Sequence, residues 1–309
     1  MSSTQGHPAL GIFAILLASI LWGTTGTAAS FNTAVSPLAT GAFAMGFAGL
    51  LLVLTALPQL RNDASAMLKQ PRVMLLGALA VAVYPLAFYT SMHLAGVAIG
   101  TVVSIACAPF FAAVLECLIS KKFISKKWLL SFAFGAVGIV LLTLGKVPTA
   151  ESSIAADSPA VGVLLGLLAA FTYATYSWSA KRMIQRGVHS KSAMAAMFGL
   201  AAVVLLPSLW LTGDNLFSGA TNTSVALYMA LVPMFIGYLL FGYGLKQVDA
   251  STATLITLLE PAVATLMAIW VVGEVFQPIG WWGMGFILIC LMLETFKFRL
   301  PKALSPVTS

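Results

Sequence analysis

Glu260 stands near the middle of a long apolar run, Val248 to Glu274, and Pro261 follows it at once. A lone carboxylate in hydrocarbon is costly, so it must face a cavity, pair with a donor, or hold a proton. Glu260 is therefore the leading candidate for proton coupling, with a hydrogen-bonded structural acid as the competing reading. Thr254 and Thr257 precede Pro261 much as Thr101 and Ser104 precede Pro109. Intervals of three and four residues put each set on one face of a helix. Hydroxyls there can donate to a substrate carboxylate or hold water, or they can bond back to their own helix carbonyls. Each proline lacks an N–H and crowds the turn before it, which frees a carbonyl and bends the helix. Pro109 and Pro261 are thus expected to break their helices near mid-depth, as cavity walls or hinges, or else as ordinary packing kinks.

Trp22 and Tyr173 also fall in mid-helix, at positions related by the internal repeat described below. Their rings can stack on a hydrophobic or aromatic substrate, or on a cation. Tyr84, Tyr89, Tyr176, Tyr238 and Tyr243 add further aromatic groups of the same kind, with packing against a neighbouring helix as the alternative for each. Trp128, Trp210, Trp281 and Trp282 lie where interfacial anchors belong. Glu116, close to Lys121 and Lys122, is expected to pair with them or to snorkel. His93 reads as an interfacial histidine and a reserve titratable group. An intramembrane enzyme would need more than a buried acid and some hydroxyls. The sequence has no GxSxG, HExxH, CxxC or Walker-type glycine loop, and its three histidines, His7, His93 and His189, are not paired by spacing. No catalytic residue, metal site or cofactor is expected. Cys107, Cys117 and Cys290 lie within apolar runs and read as buried small side chains without a disulfide.

The elements that hold these groups must be membrane helices. With 60% hydrophobic and 8% charged residues in 309, the chain cannot cover a soluble globule of its size with polar surface. A bilayer about 30 Å thick takes about 20 apolar residues per helix. Ten spans are predicted, at 10–30, 36–58, 72–93, 97–119, 127–145, 160–180, 191–212, 223–245, 251–273 and 277–296. Met1 to Ala9 carry no Lys or Arg, unlike a cleaved signal peptide, so the first span is expected to remain. The net charge of +7 reads as topology rather than as nucleic-acid binding. With both termini in the cytoplasm, every basic residue except Lys146 falls on the inner side, including Lys297, Arg299 and Lys302 of the tail.

Laid over the first half at an offset near 151, the second half brings Gly162 onto Gly11, Ala169 onto Ala18 and Tyr173 onto Trp22. One residue further along, Ala250 falls on Ala98 and Pro261 on Pro109. Five helices per half is an odd number, so the copies must run in opposite senses. The loops agree: KKFISKK (Lys121 to Lys127) is strongly basic, whereas its counterpart GEVFQPI (Gly273 to Ile279) carries no basic residue. The expected fold is all-α and integral to the membrane, ten transmembrane helices as two inverted five-helix repeats, residues 1–150 and 151–309. Such halves rocking about a shared site give alternating access. Small-residue runs such as Gly41 to Gly49 and Phe134 to Gly138 are expected to build helix contacts within a monomer or weak homodimer.

Three segments also carry a family likeness: LWGTTGTAAS (Leu21 to Ser30), AGVAIGTVVSIACAPFFAAVLE (Ala95 to Glu116) and VDASTATLITLLEPAVATLMAIWVVGE (Val248 to Glu274). They resemble the EamA-type ten-helix exporters of the drug/metabolite transporter superfamily, over nearly the whole chain. The chain is also similar to bacterial exporters of aromatic and other amino acids. The resemblance implies a secondary transporter of the bacterial inner membrane that exports small organic metabolites, foremost aromatic or hydrophobic amino acids. Export of drugs or other metabolites is the alternative, followed by passive facilitation and an intramembrane enzyme. The expected partners are a small-molecule substrate and the lipid bilayer, with no nucleic acid. The expected substrate-binding residues are Trp22, Tyr84, Tyr89, Thr101, Ser104, Pro109, Tyr173, Tyr176, Tyr238, Thr254, Thr257 and Pro261, with Glu260 for the proton.

Overall fold

Proline is the first residue of five of the membrane helices, where its missing N–H costs no hydrogen bond and its fixed φ suits the first turn. In the computed structural model, which describes residues 8–146 and 158–296, the apolar runs between such punctuation form ten helices long enough to span a bilayer. They are α1 (Pro8–Ala29), α2 (Pro37–Leu68), α3 (Pro71–Ala95), α4 (Ile99–Leu118), α5 (Lys126–Leu144), α6 (Pro159–Gln185), α7 (Ser190–Thr212), α8 (Ala220–Gln247), α9 (Ala250–Val272) and α10 (Pro278–Thr295). His7, the division at 150/151 and the tail residues Lys297, Arg299 and Lys302 lie outside the described residues. So do the side chains of Val97 and Ala98.

Helix ends agree with the sequence reading to within a few residues except at α2, which was expected to stop at Pro58 and continues to Leu68. The extension, with Arg61, Asn62 and Asp63, is polar, and at about 1.5 Å per residue it carries the helix well past the hydrocarbon. It has a partner there: the carboxylate of Asp63 accepts the backbone N–H of His189, the cap of α7, at 2.9 Å.

The helix contacts repeat with twofold symmetry. Helix α3 packs on α6 as α8 packs on α1, and α4 packs on α6 as α9 packs on α1. Three further pairs, α2 with α7, α5 with α10 and α4 with α9, set a helix against its own counterpart. An axis in the membrane plane that exchanges the two five-helix halves generates this set, the geometry of an inverted repeat. Close approach depends on glycine. A Cβ on Gly49 of α2 would lie 2.4 Å from the carbonyl oxygen of Phe198 in α7, and one on Gly283 of α10 would lie 2.3 Å from the amide of Leu142 in α5.

The outer surface is apolar, with Leu79, Leu164, Val203 and Val204 exposed, as lipid requires. Trp210, Trp281 and Trp282 point outward near helix ends, as interfacial anchors do. Trp128 departs from that expectation. It is buried and stacks on Phe132 at 5.3 Å.

The two prolines expected to act alike do not. Helix α4 stays continuous through Pro109, whereas α9 breaks at Thr257–Leu258, one turn before Pro261. Around that break the amide of Glu260 reaches back only to Thr257 O, at 3.0 Å. A third irregularity had no forecast: α8 widens into a π-helix over Ala230–Ile236, around Pro233.

Candidate functional site

The irregular stretches of α8 and α9 face a cavity between the halves, with about 590 Å³ of empty space counted to its mouth. Helix α1 supplies Trp22 and Thr25, α3 supplies Tyr84, Pro85, Phe88 and Tyr89, and α6 supplies Tyr173 and Tyr176. Gly41, Ala44 and Met45 of α2, Met229, Met234 and Tyr238 of α8, and Glu260 of α9 complete the wall. The lining begins at mid-depth and extends away from the end of the molecule that carries Lys122, Lys181 and Lys246.

Aromatic rings fix one another around this space. Trp22 lies 4.9 Å from Tyr238 between centroids, Tyr84 lies 5.7 Å from Tyr173, and Tyr173 lies 5.2 Å from Tyr176. Their polar atoms are tied down as well. The indole N–H of Trp22 donates to Pro233 O at 2.9 Å, taking up a carbonyl in the π-helical segment. Gly237 leaves room for that ring, since a Cβ there would stand 2.6 Å from the indole nitrogen. The hydroxyls of Tyr176 and Tyr238 bond to each other at 3.0 Å. Thr257 donates to Thr254 O at 2.8 Å, so the 2.8 Å bond between Thr257 and Tyr173 must carry the tyrosine's proton. Among the described residues, no partner meets the hydroxyl of Tyr84 or Tyr89.

Glu260 is the one charged residue of the lining. It lies in the first turn of the helical piece Leu259–Met267, where the helix dipole favours an anion. Its carboxylate meets no hydrogen-bond donor or cation among the described residues. When Pro261 is laid on Pro109, the first half has Ala108 in this place, packed with no exposure. The acid belongs to one repeat only.

The remaining residues singled out from the sequence lie away from the cavity wall. Thr101 donates to the sulfur of Met92, Ser104 is buried, and Thr254 bonds back to Ala250 O and Ser251 O. Pro109 and Pro261 are buried in helix contacts, Thr257 reaches the site only through Tyr173, and Tyr243 is exposed on the outside of α8. Sequence reasoning missed Met45, Met229, Met234 and Phe88, since nothing in their spacing separates a cavity-facing apolar residue from a lipid-facing one.

At the basic end the halves are closed by polar contacts. Lys122, from KKFISKK, pairs with Asp249 between α8 and α9, and Lys181 of α6 lies 3.8 Å from the same carboxylate. Lys181 also donates to Leu245 O at 2.9 Å. Glu116 pairs with neither neighbouring lysine, contrary to expectation. It accepts the amide of Ala250 at 2.8 Å and the hydroxyl of Ser251, capping the N-terminus of α9 from across the repeat.

Ten membrane helices in two inverted halves around a mid-depth cavity define a membrane transporter. The chain belongs to the EamA-like transporter family, whose pattern matches residues 9–144 and, a second time, residues 160–295. The uncharacterized transporter YwfM of Bacillus subtilis is 29% identical over 291 residues, covering 93% of this chain and 94% of the relative. The uncharacterized transporter YyaM of the same organism is 24% identical over 310 residues, covering 95% and 96%. A solved crystal structure shares the fold with a TM-score of 0.76 at 17% identity, covering 92% of this chain and 95% of that one.

Proposed function

We propose that the protein exports small organic metabolites across the bacterial inner membrane by alternating access, with aromatic and hydrophobic amino acids its foremost substrates. The observation that carries this reading is the cavity itself, which lies between inverted halves and combines apolar and aromatic walls with a single carboxylate. Trp22, Tyr84, Tyr89, Tyr173, Tyr176 and Tyr238 contact the substrate, and Thr257 acts through Tyr173. Thr101, Ser104, Pro109, Thr254 and Pro261 shape the helices behind them. Glu260 loads and releases a proton as access alternates. The basic end faces the cytoplasm, and both termini with it, by the bias of Lys and Arg.

Counterflow in proteoliposomes tests this reading. A radiolabelled aromatic amino acid should exchange saturably and faster when unlabelled substrate waits on the far side, which a passive pore does not show. Glu260→Gln should lower exchange at least tenfold and flatten its dependence on pH. If the variant kept the wild-type rate and pH profile, Glu260 would have no part in coupling. Saturable exchange of unrelated drugs, with none of amino acids, would move the substrate assignment to the wider drug or metabolite class.

A further inference from the structure

The cavity lining has one acid and no basic residue, and of its polar donors Trp22, Thr25 and Tyr173 are already committed while Tyr84 and Tyr89 stay open. Among its lining residues there is no Lys, Arg or His to meet a substrate anion. The nearest lysines along α6 and the link after α4, Lys181 and Lys122, belong to Asp249 at the basic end. Trp22 gives its N–H to Pro233 O, Tyr173 gives its proton to Thr257, and Thr25 donates to Trp22 O at 2.7 Å. Tyr176 and Tyr238 are joined by one hydrogen bond, which commits one of their two hydroxyl protons. The helix N-terminus exposed by the break in α9, which elsewhere could hold a substrate carboxylate, has Glu260 in its first turn. A carboxylate bound here would meet that acid across a space of low dielectric, where like charges repel strongly. An ammonium would meet an unpartnered carboxylate and a surround of electron-rich ring faces, the two features that hold organic cations.

Resting on the reading of this cavity as the substrate site, we propose that it recognises the amine of its substrate and not the carboxylate, so that aromatic amines and carboxyl-blocked aromatic amino acids are its strongest ligands. The ring of the ligand lies among Trp22, Tyr84, Tyr173 and Tyr238, and its ammonium lies against Glu260. The two open hydroxyls, Tyr84 and Tyr89, meet a neutral polar substituent such as an ester or amide.

Four indole probes separate the poles: tryptamine, tryptophan methyl ester, tryptophan and indole-3-propionate. Binding is measured by calorimetry at pH 7 on the full chain in lipid nanodiscs, and counterflow is measured in parallel. Tryptamine and the ester should bind at least tenfold more tightly than tryptophan, and indole-3-propionate should not bind. Glu260→Gln should remove that preference, and Glu260→Asp should keep it, which separates loss of the charge from loss of the fold. Indole-3-propionate or tryptophan binding as tightly as tryptamine, or no binding by either amine, overturns the inference even where counterflow shows a working exporter. Amine-selective binding without exchange of any probe upholds the inference and overturns the transport reading instead.

Discussion

A hydroxyl in a membrane helix usually bonds to the carbonyl one turn back, and most of the buried threonines here do so, among them Thr172, Thr175 and Thr265, as does Ser19. Thr257 is different because it also accepts from Tyr173 of α6, and the bond joins the break in α9 to the cavity wall. Each of Tyr173→Phe and Thr257→Val should weaken substrate binding by about 1 kcal/mol, the net worth of one hydrogen bond. The double variant should be little worse than either, giving a coupling energy of about 1 kcal/mol in a double-mutant cycle. Additive losses in equilibrium binding would mean that the two residues act separately. The aromatic members of the site were legible because polar-tipped rings at mid-helix, such as Trp22 and Tyr173, stand out against an aliphatic background and correspond by repeat. The hydroxyls of Thr101, Ser104 and Thr254 had the same spacing signal, yet they turn away. Spacing shows which residues share a face, and only packing shows where that face points.

The helices reach their positions because small residues let backbones touch, and this can be tested within one helix. On α10 a Cβ at Gly283 would press on backbone atoms of α5, 2.3 Å from Leu142 N and 2.6 Å from Gly138 O, while a Cβ at Gly285 would meet nothing within 4 Å. Backbone cannot step aside as a flexible side chain can. Gly283→Ala should therefore destabilise the protein by roughly 1–3 kcal/mol, the usual cost of overpacking. Gly285→Ala should leave stability unchanged or raise it slightly, since alanine is the better helix former. Thermal melting in detergent reads both, and equal melting temperatures would remove the close α5–α10 contact from the account of stability. At this scale the sequence was informative about existence and less so about shape. Apolar length marked all ten helices, and the glycine runs at Gly41–Gly49 and Phe134–Gly138 marked close contacts. The π-helical turn around Pro233 and the unbroken helix at Pro109 depend on contacts that spacing does not show. At Pro233 the proline's own carbonyl accepts the indole N–H of Trp22, far away in sequence.

Across the whole molecule, the two ends of the cavity are held by different forces. Away from the basic end the halves meet through neutral hydrogen bonds, among them Thr24 with Tyr228 at 2.7 Å and the side-chain amide of Asn222 with the backbone N–H and carbonyl of Thr33, each at 3.1 Å. At the basic end Lys122, Lys181, Asp249 and Glu116 draw both halves together around the start of α9. KKFISKK and GEVFQPI, which the loops alone marked as lying on opposite sides, are the repeat-equivalent segments at these two ends. The asymmetry of charge is thus also an asymmetry of closure. Lys122 and Asp249 keep 35% and 42% of their side-chain surface exposed, so solvent screens that pair, and its net worth is about 1 kcal/mol or less. Lys181 is more deeply placed, with 10% exposed, and without Asp249 it would face Lys122 uncompensated. Asp249→Asn should therefore shift the balance toward states open at the basic end by roughly 3- to 10-fold, since about 1.4 kcal/mol corresponds to a factor of ten. A cysteine placed at Leu245, which has no exposure in the closed end, reports the shift. Its labelling by an impermeant maleimide from the basic-end side should quicken by that factor in Asp249→Asn. It should not change in Asp214→Asn, whose carboxylate lies exposed in the link between α7 and α8 at the other end. Equal rates in all three backgrounds would mean that packing alone holds the basic end shut, leaving Lys122 and Lys181 to set topology and nothing more.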